Sequence, residues 1–118
     1  MDVQFIMGIL KHRRLPLHEE KSLQLAIHNA LLLEIEHSDI RREFILDEKN
    51  IIDFLVFGKI GIEVKIKANK RAIYRQCCQY CEFSTIETLI LVTNTSMGFP
   101  PAINGKDCYV HNLGKAWL

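Results

Sequence analysis

No apolar run in this chain approaches the roughly 18 residues that a membrane-spanning helix needs. The opening VQFIMGIL is short, follows no basic segment and leads to no small-residue cleavage pattern, so a secretory signal is not expected either. Internal repeats, low-complexity tracts and linker-like stretches are also missing. Nor is there a charge excess: the formal net charge is +1, which by itself points to no nucleic-acid partner. These absences leave the expectation of one cytoplasmic domain over residues 1–118, with no membrane partner. An apolar content of 48% is enough to bury a core without metal or disulfide staples.

Cysteine is present but poorly arranged for bridging. Cys77, Cys78 and Cys81 crowd into five residues of an expected helix, and Cys108 stands apart. Buried reduced thiols are the expectation, because free cysteine behaves as a small hydrophobe. A cluster ligated by the four has no spacing to recommend it.

Acid is missing where it matters more. From Val64 to Cys81 there are five basic residues, Lys65, Lys67, Lys70, Arg71 and Arg75, and no Asp or Glu. A second basic cluster, KHRR, occupies 11–14. A solvated helix face can look like this, so the bias needs company before it means anything.

Periodicity supplies a frame. Residues 2–10 read as a short strand or an irregular apolar lead-in. Pro16 opens a helical pattern over about 17–36, with Leu23, Ile27, Ala30, Leu31 and Glu34 on one face. REFIL (42–46), IIDFLVF (51–57) and IEVKIK (62–67) read as strands, with GKIG as the tight connection between the last two. KRAIYRQCCQYCEF reads as a second helix, TLILVTN as a buried strand, 96–107 as loop and CYVHNL as a last strand. The order α-β-β-β-α-β-β predicts an α/β fold, a central mixed sheet flanked by helices.

Within that frame the hairpin 51–67 carries charge at core-like positions. Alternation puts Glu63, Lys65 and Lys67 on one face and Ile62, Val64 and Ile66 on the other. On the preceding strand Asp53, Leu55 and Phe57 should oppose Ile52, Phe54 and Val56. A register with Asp53 opposite Lys65 makes Asp53 and Glu63 diagonal neighbours, and it needs an odd-length loop or a bulge at GKIG. Two carboxylates so placed repel unless a cation sits between them, and hard oxygen ligands suit Mg²⁺ or Mn²⁺. The plain alternative is a surface ion pair between Glu63 and Lys65 in a purely structural domain. Asp53 and Glu63 on opposite sheet faces would support that alternative.

Downstream, Gln76 and Tyr80 lie four apart on one helix face. The pattern Asp53…Glu63-Val64-Lys65…Gln76-x-x-x-Tyr80 resembles the PD-(D/E)XK nuclease superfamily. Its QxxxY element resembles the RecB-like and lambda-exonuclease-like branch, over roughly residues 17–94. The resemblance implies a restriction-endonuclease-like α-β-β-β-α-β core and a Mg²⁺- or Mn²⁺-dependent deoxyribonuclease, with endo- and exonuclease action both open. It implies Asp53 and Glu63 as metal ligands with the carbonyl of Val64. Lys65 would act on the attacking water or the phosphate, and Gln76 and Tyr80 would steady the site. A first-helix glutamate often joins such sites; Glu19 and Glu20 are the candidates, and Glu20 is preferred because it stacks above Gln24, Ile27 and Leu31. An acid stabilising a helix N-terminus is the competing explanation.

Lys67, Lys70, Arg71 and Arg75 would then track phosphates of a DNA partner. So small a chain is expected to act as a homo-oligomer, a dimer first, or beside a partner protein. The chain departs from the pattern in having Ile52 rather than proline before Asp53. His18 and His28 are candidates for the family's upstream histidine, without a clear motif. His12, His37 and His111 read as structural. A nuclease-fold module that binds nucleic acid or protein without cutting is the alternative of another class.

Overall fold

The computed structural model describes residues 2–113. Its elements are α1 (Asp2–Lys11), α2 (Glu20–Leu32), a 3-10 turn (His37–Asp39), β1 (Ile40–Ile45), β2 (Ile51–Val56), β3 (Ile60–Lys65), α3 (Lys70–Tyr80), β4 (Thr88–Thr93), β5 (Ala102–Ile103) and β6 (Lys106–Asn112). The strands form one mixed sheet in the order β1-β2-β3-β4-β6-β5. β1, β2 and β3 are a meander of antiparallel neighbours, whereas β3, β4 and β6 run parallel. The coarse α/β expectation therefore holds. Among the described residues no helix is long and apolar enough to cross a membrane.

The first segment corrects the reading of residues 2–10 as a strand or irregular lead-in. It is a helix whose buried residues include Ile6, Met7 and Leu10, the spacing of one helical face. Its β-branched and aromatic residues weaken helix propensity, but packing against α2 and the sheet overrides propensity. α2 is shorter than the expected 17–36. The amides of Glu34 and Ile35 both turn back onto the carbonyl of Leu31, which closes the helix and swings Ile35 into the core. The expected loop 96–107 contains the short strand β5, which pairs antiparallel with the start of β6. The tail GKAWL, whose aromatic residue reads from the sequence alone as a seal for the core or a subunit interface, lies outside the described residues.

The sheet separates two cores. α1 and α2 cover one face, where Leu23, Ile27 and Leu31 meet Phe54, Ile62, Val64 and Ile90. α3 covers the other, where Ile73, Cys77 and Tyr80 meet Leu55, Leu89 and Leu91. The Glu63 side of β3 is thus no solvent face but the floor beneath α3.

Simple alternation fails at one place, and the failure matters. Ile52 belongs to the α3 core and Phe54 to the opposite one, although they are two residues apart. Across from them on β1, Glu43 has a φ of +47°, in the region that L residues rarely adopt. Its neighbours divide in the same way: the Arg42 guanidinium lies over the Phe54 ring at 5.2 Å, while Phe44 packs with the α3 core. The register stays continuous, with Arg42 opposite Phe54 and Phe44 opposite Ile52. Both strands therefore turn over together at Glu43 and Asp53.

Candidate active site

The hairpin joining β2 to β3 closes with Val56 opposite Ile60, leaving a three-residue turn, Phe57 to Lys59. Phe57 and Gly58 both have positive φ, at 56° and 70°. Phe57 consequently leaves the alternation and packs toward the α1/α2 core, not beside Leu55 as expected. The loop is odd in length, as the site requires, but the register differs from the expected one. The ladder runs through Leu55 opposite Gly61 and Phe54 opposite Ile62, so Asp53 next faces Glu63 rather than Lys65.

There the backbone ladder opens. The Asp53 amide donates to Glu63 Oε1 at 3.2 Å, and the Val64 amide donates to Asp53 Oδ2 at 2.8 Å. Each carboxylate accepts from an amide of the neighbouring strand, and the paired register ends one step before them, at Phe54 opposite Ile62. Asp53 and Glu63 meet in one gap, and the structural reading with the acids on opposite faces is not what is seen.

Glu63 is only 3% exposed. Desolvation first, and the nearby Asp53 charge second, push its carboxyl up to about 8; Lys65, the Asp53 amide and Tyr80 pull the other way. Asp53 is raised as well, mainly by burial, with the Val64 amide and Lys65 opposing and the charge of Glu20 adding to the rise. Lys65 Nζ lies 3.3 Å from Glu63 Oε2. One ammonium faces two desolvated acids, which leaves the pair short of positive charge.

α3 places the remaining pair. Asn69 caps its N-terminus by accepting from the amides of Arg71 and Ala72, which sets the phase of the helix. Gln76 and Tyr80, one turn apart, then face the sheet. Gln76 Nε2 donates to Tyr80 Oη at 2.8 Å, and that hydroxyl lies 3.0 Å from both Glu63 Oε2 and the Ile51 carbonyl. A phenol has one proton, so the carboxylate and the carbonyl compete for it. Burial and the two acids raise the Tyr80 hydroxyl's own ionisation, which keeps it a donor. Replacing Tyr80 with phenylalanine should lower stability by about 1–3 kcal/mol, because it strands a buried carboxyl, a carbonyl and an amide together. Urea denaturation at pH 7 checks this, and an unchanged midpoint would contradict the hydroxyl's bridging role.

α2 reaches the same strand end. Glu20 Oε2 accepts from the Ile66 amide at 3.0 Å, just beyond β3. Glu19 instead precedes the helix and accepts from Ser22 Oγ at 2.7 Å, a local turn contact. Geometry thus divides the two glutamates between site and helix end. Lys67, Lys70, Arg71 and Arg75 are exposed at and beyond the end of β3, and Lys70 and Arg71 border an open groove with Tyr74, Met97 and Pro100. Asn94, which the sequence pattern did not single out, fixes this end by accepting from the Lys67 amide at 2.9 Å. An asparagine directly after a buried strand is the signal that would have found it. Gln24 and Arg42 also escaped notice as partners; they meet at 3.4 Å between α2 and β1.

Among the described residues, no three His, Cys, Asp or Glu side chains stand close enough to hold one ion together. A hydrated divalent cation needs fewer: one or two carboxylates suffice, with water completing the shell. The opened gap provides Asp53 and Glu63, and Val64's carbonyl points to the same side of the strand as its amide, which faces Asp53. Two desolvated acids with one ammonium fit such a cation electrostatically.

The cysteines are free: Cys77, Cys81 and Cys108 are buried and Cys78 is half-buried. Burial pushes the Cys77 thiol up to about 12, so it is a packed thiol rather than a ligand-ready thiolate. His12, His18 and His37 are exposed, His28 is half-buried and His111 is buried. Comparison of the chain with protein-family models, with curated proteins and with solved structures found no match.

Proposed function

We propose that the protein is a metal-dependent nuclease that hydrolyses DNA phosphodiester bonds, resembling the PD-(D/E)XK nucleases of the RecB-like and lambda-exonuclease-like branch. The observation that carries this reading is the opened ladder at Asp53 and Glu63. A fold seeking stability alone gains nothing by burying two like charges where two backbone hydrogen bonds would do.

Asp53, Glu63 and the Val64 carbonyl would hold Mg²⁺ or Mn²⁺, and Glu20, one strand end away, would reach it through water. When bound, such an ion polarises a phosphoryl oxygen and lowers the pKa of water. Lys65, beside Glu63, carries a fixed positive charge able to orient the attacking water or offset charge growing on phosphorus. Gln76 and Tyr80 hold Glu63 in place. The parallel strands β3 and β4 end at this point, and the open space beyond such strand ends is where α/β sheets place ligands. The exposed basic residues 67–75 supply phosphate contacts outside the reacting centre. A restriction-endonuclease-like core, action as a homodimer or beside a partner protein, and a place in recombination, repair or mobile-element processing belong to the same proposal.

A cleavage assay on linear, circular, single-stranded and branched DNA, with Mg²⁺, Mn²⁺ or EDTA, tests it. Cutting should require the metal and disappear in Asp53→Ala. Metal-independent cutting, or full activity in Asp53→Ala, would sink the mechanism; binding without cutting on every substrate would favour the non-cleaving module. Lys70→Ala and Arg71→Ala should each weaken DNA binding and flatten its salt dependence by about one unit of logarithmic slope, measured from 50 to 200 mM salt. A slope that stays put in both variants would remove α3 from the DNA interface.

A further inference from the structure

The loop that follows β4 forms a groove with the first turns of α3. β3 and β4 run parallel, with Lys65 opposite Thr93, so this loop leaves the sheet at the strand end that carries Lys65. Two side chains tie it to the connection between β3 and α3. Asn94 Oδ1 accepts from the Lys67 amide at 2.9 Å, and Thr95 Oγ1 donates to the Ala68 carbonyl at 3.2 Å. Met97 and Phe99 then pack onto the core beneath α3, on the face of the sheet where Glu63 meets Tyr80. Lys70, Arg71, Tyr74, Met97, Gly98 and Pro100 line the groove, whose volume is about 540 Å³. That is room for a small planar ligand.

The lining combines two chemistries. Tyr74 is 42% exposed. Its ring meets that of Phe99 edge to face, with centroids 6.2 Å apart and planes at 79°. Such a pair fixes both rings and occupies only one face of one of them, so flat aromatic surface is left over. Lys70 and Arg71 are also exposed, and among the described residues neither forms an ion pair. No Asp or Glu occurs between Val64 and Cys81 to neutralise them. A lone exposed aromatic needs no explanation. One braced by a second ring, beside two unpaired cations and at the strand end nearest the acids, does.

We propose that this groove captures an unpaired nucleobase of single-stranded DNA by stacking it on Tyr74, while Lys70 and Arg71 hold the phosphates beside it. The proposal rests on the nucleic-acid reading above and narrows the substrate to a single strand or a frayed end. The unpaired cations select a polyanion. The aromatic surface selects one whose bases are bare, because a duplex keeps its base faces stacked on one another, and stacking on a side chain tolerates any base. The groove opens where the parallel strands β3 and β4 end, so a strand held there lies on the acids' side of the sheet.

Fluorescence anisotropy in EDTA, with a labelled oligothymidylate and an abasic strand of the same length, tests this apart from catalysis. The wild type should bind the oligothymidylate about tenfold more tightly than the abasic strand. Tyr74→Leu should erase that preference and Tyr74→Phe should keep it. Lys70→Ala should weaken binding of both strands alike, since it removes charge and no stacking surface. A strand with iodouracil in place of thymine should photo-crosslink to Tyr74 or Phe99 of the wild type, located by mass spectrometry; a merely structural ring would give no such product. Equal wild-type affinity for the two strands overturns base capture and leaves the phosphate contacts standing. A preference that survives in Tyr74→Leu overturns it too. Should Tyr74→Leu melt early, the wild-type crosslink decides, and a product outside the groove, or none, overturns the proposal. Failure of the wild type to bind either strand overturns the nucleic-acid reading along with it. Because EDTA prevents cutting, a failed cleavage assay beside a positive result here would count against the nuclease reading alone.

Discussion

Glu63→Gln should yield a protein that is more stable than the parent above about pH 7 and inert in cleavage. The two effects have one cause. The carboxylate is 3% exposed and shares its gap with Asp53, so ionising it in the folded state is costly, and its carboxyl is pushed up to about 8. An amide has the same shape without the charge. Its oxygen can still accept from the Asp53 amide, and its nitrogen can donate to the Tyr80 hydroxyl, which is then free to serve the Ile51 carbonyl. Cleavage should fall by on the order of a thousandfold or more, because the charge that would draw a cation into the gap is gone. Thermal melting at about pH 8 and a metal-dependent cleavage assay read the two effects. A variant that cuts normally would end the catalytic assignment of Glu63, and one that melts earlier than its parent would show that the acid is not the burden described.

Removing divalent cations should make the stability of the wild-type protein fall with rising pH, and restoring Mn²⁺ should reverse the fall. Glu63 and Asp53 are both raised in the folded state, so the native protein holds their protons more tightly than the unfolded chain. The stability they contribute is complete below the ordinary carboxylate range. It is lost as pH climbs toward about 8, by on the order of a few kcal/mol in all. His28 and His111 work against this trend at lower pH. Burial lowers both, so their contribution is lost as pH falls below the ordinary histidine range. The clear window is therefore about pH 7 to about pH 8.5. The difference between wild type and Glu63→Gln removes what the two proteins share, including the Cys81–Cys108 pair. A cation that binds the ionised acids should also displace protons on binding, so calorimetry in buffers of different ionisation heat should give different apparent enthalpies. A flat difference curve without metal would contradict the linkage, and so would Mn²⁺ binding that releases no proton.

Much of this arrangement was legible from residue spacing, and the rest was hidden for identifiable reasons. Alternation placed Glu63 and Lys65 on one face, and helical spacing joined Gln76 to Tyr80; both depend only on local geometry. The register across the hairpin depends on turn conformation. An odd loop serves Asp53 opposite Glu63 as well as Asp53 opposite Lys65, and nothing in GKIG separates them until Phe57 and Gly58 adopt positive φ. The turnover at Glu43 and Asp53 was hidden because it breaks the period of two on which strand reading relies. Residues 2–10 misled for another reason: their side chains favour strands, and only the partner surface of α2 and the sheet makes the helix worthwhile. Arg42 escaped because a lone arginine in RREF carries no local signal; its place over Phe54 and beside Gln24 is set by the tertiary fold.

The opened ladder has one more consequence. The amides of Asp53 and Val64 are tethered to side chains rather than to backbone, and each is bonded to the acid opposite. Their nitrogen chemical shifts should follow the charge on those acids directly, as two needles on one dial. Protonation, cation arrival and substrate approach would each move them, while the amides of Ile62 and Phe54, one step back along the ladder, stay still. The chain carries its own pair of spectroscopic probes, already seated at the two buried acids, and no label has to be attached to read them.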